Sequence, residues 1–283
     1  MLVLAGSFAV GSMVSRIVTE PASSPVTPIA GSVAEPAPSS GPMPSAGPAS
    51  SVEPAPSVVP TRPASQRPAT ADRLPLGGFG PYGTSSVTGT DLVALTFDDG
   101  PDPRWTPEVL ELLRHHRITA TFCVVGELVA AYPQLVREIV ADGHTLCNHS
   151  WRHDNRLGSR TRAAIRADLE RTIAAIRDAV PDAPVAYYRQ PGGMWTERVV
   201  EVAEELGMAS LHWAVDPQDW RQTSVRTLAR AVAASPPGAI VLLHDGGGER
   251  EVTVSALRLA LPELVSRYEV AALPPDGRSP LPL

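Results

Sequence analysis

The chain has 283 residues, a formal net charge of −6 and only 5% aromatic residues. All 24 basic residues are Arg, which excludes Schiff-base chemistry on Lys and a P-loop lysine. From Asp91 to Leu283 there are 20 Arg against 26 Asp plus Glu. This part therefore carries the whole negative charge and lacks the positive footprint that a general nucleic-acid binder needs.

Leu2 to Val14 is a short apolar run followed by Ser15 and Arg16. It is too short to span a bilayer comfortably and is closer to a signal-peptide core, so residues 1–19 are read as a signal peptide or membrane anchor. Residues 21–76 hold 14 of the 30 prolines, mixed with Ser and Ala. Such a stretch cannot bury enough surface to offset its ordering entropy, and 20–76 is read as a disordered, extended linker. Residues 77–283 remain, enough for one well-buried core. Leader, spacer and domain together describe an extracellular or cell-surface protein that meets a membrane only through its N-terminal segment.

Within the domain, short β-rich runs alternate with helical patterns. The strand candidates are 92–97, 119–125, 145–148, 185–189, 209–215, 239–244 and 268–273. They are mostly continuously apolar, as strands buried on both faces should be. Thr106-Pro107-Glu108 predicts a helix start with Thr106 as N-cap, and Pro133 predicts a second, stopped at Gly143. Ile165, Leu169, Ile173, Ile176 and Val180 form one helical stripe. Thr196 and Ser224 are expected to cap two more helices, the first ended by Gly207. The pattern predicts an α/β fold, a distorted, incomplete (β/α) barrel of about seven parallel strands with outer helices. No GxGxxG fingerprint points to a dinucleotide site.

The polar residues cluster at strand ends. Asp98 and Asp99 follow the first strand, His149 and His153 the third, Asp216 the fifth, while Arg189 ends the fourth and His244 the sixth. In a parallel fold these ends open onto one face, where active sites are built. His149 and His153 can share a metal ion if the segment turns helically after the strand. With a carboxylate from the Asp pair across the barrel mouth they make two His plus one acid, a set suited to a catalytic divalent metal such as zinc. One Asp can bind the metal while its neighbour takes a proton from water. Arg189 can orient that neighbour, and His244, with its ring held by Asp219, is a natural general acid. His144 and His212 are expected to be structural, and the arginines from 152 to 177 a solvated face. Cys123 and Cys147 are expected to be buried free thiols.

At these residues the chain resembles the polysaccharide deacetylases, the NodB-homology domain of carbohydrate esterase family 4. The motifs, in order, are Thr96-Phe97-Asp98-Asp99-Gly100-Pro101, His149-Ser150-x-x-His153, Arg189-x-Pro191-x-Gly193, Asp219-Trp220 and Leu242-x-His244. The resemblance implies Asp98 as catalytic base and Asp99, His149 and His153 as ligands of one divalent ion, zinc first and cobalt second. Arg189 would steer Asp98, and Asp219 would tune His244 as general acid. Trp220 and Leu242 would line the acetyl pocket, with Pro191 and Gly192 in the substrate-binding loop and the Gly192 N–H on the oxyanion. Gly192 stands where members often carry an aromatic residue. Trp195 either replaces that ring or packs at a helix start.

The implied activity is hydrolysis of N-acetyl groups from an N-acetylglucosamine polymer, peptidoglycan before chitin-like oligomers, by a monomer with no nucleic-acid partner. Two rivals share the scaffold: an O-acetyl esterase on xylan, and a silent carbohydrate-binding wall protein. The absence of a GxSxG elbow argues against a serine esterase.

Overall fold

The computed structural model describes residues 80–277. The segments read as leader (1–19) and linker (20–76) lie outside the described residues, so those readings stand as expectations.

The described strands form one parallel sheet. They are β1 (Ala94–Asp98), β2 (Thr121–Val124), β3 (Thr145–Asn148), β4 (Tyr187–Tyr188), β5 (Ala209–Ser210) and β6 (Ile240–His244). Their order is β5-β4-β3-β2-β1-β6. The register aligns Phe97 with Phe122, Cys123 with Cys147, and Asp98 with His244. The first three strands and most of β6 are buried throughout, which is why they read as unbroken apolar runs.

The sheet is curled but not fully hydrogen-bonded into a barrel. Only Ala209–Ser210 of the predicted 209–215 strand pairs with β4, because Leu211 turns to bridge Ser85 and Val215 then bridges Val241 on β6. Residues 85–88 cross the same seam: Ser85 N donates to Ser210 O at 2.9 Å and Thr88 N to Gly238 O at 2.8 Å. The predicted strand at 268–273 reduces to a single bridge, Val270 to Val93. Six strands plus a laced seam replace the seven expected, and the barrel is incomplete for that reason.

Seven helices cover the outside: α1 (Trp105–His116), α2 (Gly126–Ala131), α3 (Pro133–Ala141), α4 (Arg162–Ala179), α5 (Glu197–Glu205), α6 (Val225–Ala233) and α7 (Glu251–Arg267). Thr161, Thr196 and Ser224 cap α4, α5 and α6, each accepting from a backbone N–H three residues on. The start of α1 differs from expectation. Asp102 Oδ1 accepts from the N–H of Arg104 and Trp105, and Thr106 sits inside the first turn with its hydroxyl on Asp245. The short α2 and the long α7 carry no cap that the sequence advertises, and Pro262 inside α7 hides its period. Yet α7 buries Val254, Leu257, Leu261 and Leu264, spaced as one helical face requires.

The arginine-rich α4 is paired rather than merely solvated. Arg162 and Arg166 both reach Glu205 on α5, and Arg162 also reaches Glu201. The main core lies between β1, β2 and β6 and the helices α1, α6 and α7. Phe97 and Phe122 stack at 5.2 Å between ring centroids in its middle. Phe97→Ala is therefore expected to lower the unfolding free energy by about 3–5 kcal/mol, read from urea unfolding. A loss of well under 1 kcal/mol would mean that the ring pair does not organise the core.

Candidate active site

The C-terminal ends of the strands open into a cleft of about 590 Å³. Asp98, Asp99, His149, His153, Gly192, Trp220, Leu242 and His244 all line it. Pro191 does not; it is buried behind the wall, where it opens the tight turn Pro191–Gly193. That turn needs left-handed backbone at Gly192 (φ 60°) and Gly193 (φ 62°), and a Cβ on Gly193 would stand 2.8 Å from Trp213. Glycine is required here by conformation and by space.

Arg189 sits beneath the cleft and is wholly buried. Its Nη1 donates to Asp98 Oδ1 and to Thr96 Oγ1, both at 2.7 Å. Its Nε and Nη2 donate to the carbonyls of Leu211 and His212 at 3.2 Å. Burial alone would weaken the guanidinium's hold on its proton, but the Asp98 charge more than offsets that. Asp98 thus presents Oδ1 to Arg189 and Oδ2 to the cleft, 3.6 Å from His149 Nε2.

His149 and His153 come together without a helix. Ser150 (φ 66°) and His153 (φ 53°) both adopt left-handed backbone, and this irregular turn sets the two rings 5.0 Å apart. The helical turn expected from the four-residue spacing is not formed. His149 Nδ1 lies 2.9 Å from the Arg189 carbonyl, which can only accept. Nδ1 therefore carries a proton, and Nε2 is the nitrogen that faces Asp99. Asp99 Oδ1 is 3.4 Å from His149 Nε2 and 3.1 Å from His153 Nε2, yet it is buried without a hydrogen bond. Ligand atoms of all three residues lie within 4.8 Å of one another. Two imidazole nitrogens around an orphaned carboxylate oxygen fit a divalent cation better than a hydrogen-bond network. Burial raises the pKa of Asp99, but His149, His153 and His244 outweigh this and hold it at about 2. The group is ready to ligate at any physiological pH.

His244 is not across the mouth from the Asp pair but on the adjoining strand, in register with Asp98. Asp219 grips it twice: Oδ1 lies 2.7 Å from the ring Nδ1, and Oδ2 accepts the His244 backbone N–H at 2.9 Å. Thr253 on α7 adds a third hydrogen bond to Asp219 at 2.9 Å. Burial lowers the pKa of His244, and Asp219, with Asp98 and Asp99 behind it, reverses this and raises it.

Trp195 is buried, its ring edge-on to Tyr188 and its Nε1 donating to His212 Nδ1 at 3.2 Å, so it packs rather than faces the cleft. This also assigns His212 a structural role. His144 is structural too: its Nδ1 accepts from Ala120 N at 3.1 Å, and burial lowers its pKa to about 4. Cys123 and Cys147 are buried free thiols, register partners on β2 and β3. Asp216, exposed at the rim, spends Oδ1 on the Gln218 N–H at 2.8 Å.

Sequence reasoning missed several cleft residues. Gln190 is wholly buried, accepts from Tyr188, and directs Nε2 at the carbonyls of Asp154 and Asn155. It therefore joins the Arg189 loop to the histidine loop. Asn155 lies against Gly192, where the missing aromatic ring would stand. Trp213, Glu249 and Arg250 also line the cleft. The run Asp245-Gly246-Gly247-Gly248-Glu249-Arg250 was the available signal, since three consecutive glycines after a strand mark a close backbone approach.

Removing Arg189 strands a buried carboxylate. Arg189→Met is expected to cost about 3–5 kcal/mol of stability, measured by urea unfolding. An unchanged midpoint would show that Asp98 is solvated in the folded protein.

Known proteins place this arrangement. The polysaccharide deacetylase family model matches residues 85–211. A chitooligosaccharide deacetylase of Bradyrhizobium is 43% identical over 201 residues, covering 66% of this chain and 91% of that protein. A peptidoglycan-N-acetylglucosamine deacetylase of Bacillus cereus is 38% identical over 176 residues, covering 61% of this chain and 81% of that one. Among solved structures, a family 4 carbohydrate esterase from Streptomyces lividans in complex with acetate superposes with a TM-score of 0.61 at 29% identity, covering 68% of this chain and 98% of that one. With its curled parallel sheet and ordered motifs, the chain belongs to the polysaccharide deacetylase family.

Proposed function

We propose that this chain removes acetyl groups from N-acetylglucosamine units of a polysaccharide, with peptidoglycan or chitin-like oligomers as substrate and zinc, before cobalt, as the ion. The observation that carries this reading is the meeting of Asp98, Asp99, His149, His153 and His244 in one cleft. Asp99, His149 and His153 would hold the ion. Once bound, it supplies Lewis acidity toward the acetyl oxygen and makes water easier to deprotonate.

The protein's own groups do the rest. Asp98, aimed by Arg189, takes a proton from water as the water oxygen adds to the acetamide carbon. The Gly192 N–H donates to the oxygen as it gains negative charge. His244 gives its Nε2 proton to the sugar nitrogen while the carbon–nitrogen bond breaks, leaving acetate and a free amine. Asp219 keeps His244 in the form that can donate, because an imidazole with a raised pKa stays protonated closer to neutral pH. Trp220 and Leu242 flank the acetyl methyl. The apolar run and Pro-rich stretch of residues 1–76 support an exported enzyme working at the cell surface.

Acetate release from N-acetylglucosamine oligomers and from isolated peptidoglycan, after chelation and with zinc restored, tests the activity. Zinc-dependent release is expected. Release from O-acetylated xylan alone would make the chain an esterase, and a metal-binding chain that releases nothing would make it a carbohydrate-binding protein.

Two variants separate the roles. Asp98→Asn should keep the bound ion and lose about 10²–10⁴ in kcat, whereas His149→Ala should lose both. A metal-free Asp98→Asn would refute this division.

The pH profile tests His244. The protonated form is present below its raised pKa, so activity falls as pH climbs through that value. Asp219→Asn removes the main raising influence and should move the alkaline limb of kcat/KM to lower pH. An unmoved limb would exclude His244 as the acid.

A further inference from the structure

Arg250 ends the glycine-rich loop after β6 and lines the same cleft, yet the chemistry above leaves it without a task. It is 4% exposed. Its Nε donates to Gly246 O at 2.7 Å and its Nη1 reaches Glu249 O at 3.4 Å, both neutral carbonyls of its own loop. Nη2 has no acceptor among the described residues, and no carboxylate there forms an ion pair with Arg250. Glu249 beside it, at the rim of the same cleft, pairs with Arg104 at 3.3 Å. The other deeply buried arginine of the site, Arg189, has Asp98 at 2.7 Å.

A buried guanidinium is ordinarily paired with a carboxylate, as Arg189 is, so one held only by neutral carbonyls has its charge left for a ligand. The loop leaves this one open to the cleft. Gly247 and Gly248 put no side chain over it; Arg250 Nη2 lies 3.7 Å from where a Cβ on Gly248 would stand. Gly247 in turn backs onto Asp99, since a Cβ there would meet Asp99 Oδ2 at 2.5 Å. The unpaired cation and the carboxylate proposed to hold the ion thus share one wall, so a ligand of Arg250 sits beside the reacting acetamide.

We propose that Arg250 is a carboxylate subsite of the cleft. It receives the anionic group of the sugar next to the one that loses its acetyl group. The preferred substrate is then a muramic-acid-containing glycan rather than a neutral N-acetylglucosamine polymer. This inference rests on the deacetylase reading above. The planar fork suits a carboxylate, which accepts two parallel N–H donors. The carboxylate comes either from the lactyl ether of the muramic sugar or from a peptide attached to it.

Acetate release by the full chain is measured on a neutral N-acetylglucosamine oligomer, on a peptide-free muramyl glycan with a free lactyl carboxylate, and on its lactyl methyl ester. The free acid should exceed its ester in kcat/KM by about tenfold, the equivalent of one charge-assisted hydrogen bond, chiefly through KM. Arg250→Gln should bring that ratio to about one, and Arg250→Lys should keep part of it.

A peptide-bearing glycan separates the two sources of the carboxylate. Preference confined to the peptide-free acid assigns the lactyl group, and preference kept with peptide attached assigns the stem. A wild-type ratio of one, with no gain on the peptide-bearing glycan over the neutral oligomer, overturns the subsite, even where the Arg250 variants fail to fold. So does a ratio that Arg250→Gln leaves intact. No acetate from any substrate would overturn the deacetylase reading itself.

Discussion

Arg189 lies fully desolvated inside the curled sheet, and four of its five nitrogen-bound hydrogens are spent on four partners from two parts of the chain. The carboxylate of Asp98 and the hydroxyl of Thr96 lie on β1, while two carbonyls belong to the segment after β5. Its own carbonyl fixes the ring of His149. One residue therefore sets the aim of Asp98, the tautomer of His149 and the path by which residues 211–212 leave β5. A guanidinium suits this because its donors lie in a rigid plane and its charge is not lost on burial.

Around that cation the site separates two kinds of histidine by their partners. His149 is held by a carbonyl, which accepts a proton but adds no charge, and its Nε2 faces the orphaned Asp99 oxygen across the space a cation would fill. His244 is held by a carboxylate, which stabilises the protonated ring. The same side chain becomes ligand or acid according to whether its second nitrogen meets a neutral or a charged oxygen. Asp219 is itself fixed by Thr253, so α7, remote from the motifs in sequence, takes part in placing the acid.

The strand ends were legible because polar residues interrupt apolar runs just where a parallel sheet opens. Asp98, His149, Arg189 and His244 follow from that rule alone, and the ordered motifs supplied their partners. The remainder was hidden for identifiable reasons. The closure of the barrel depends on single bridges at Ser85, Val215 and Val270, and a single bridge has no period to detect. The histidine pair relies on left-handed backbone at Ser150 and His153, which spacing read as helix. Pro262 concealed α7. Asp102, not Thr106, caps α1, because Asp245 captures the threonine hydroxyl across more than a hundred residues of chain. Arg250 was invisible as a site residue because its interest lies in the partner it lacks.

The lacing of the seam has a mechanical consequence. Residues 85–88 are stitched to Ser210, His212, Gly238 and Ile240, on both lips of the gap between β5 and β6. They are also the point at which the chain enters the barrel from its N-terminal side. Any pull transmitted along the preceding chain is borne in shear by that stitch, directly beside the strand that ends in His244. A load arriving there would reach the lip of the cleft through four backbone hydrogen bonds.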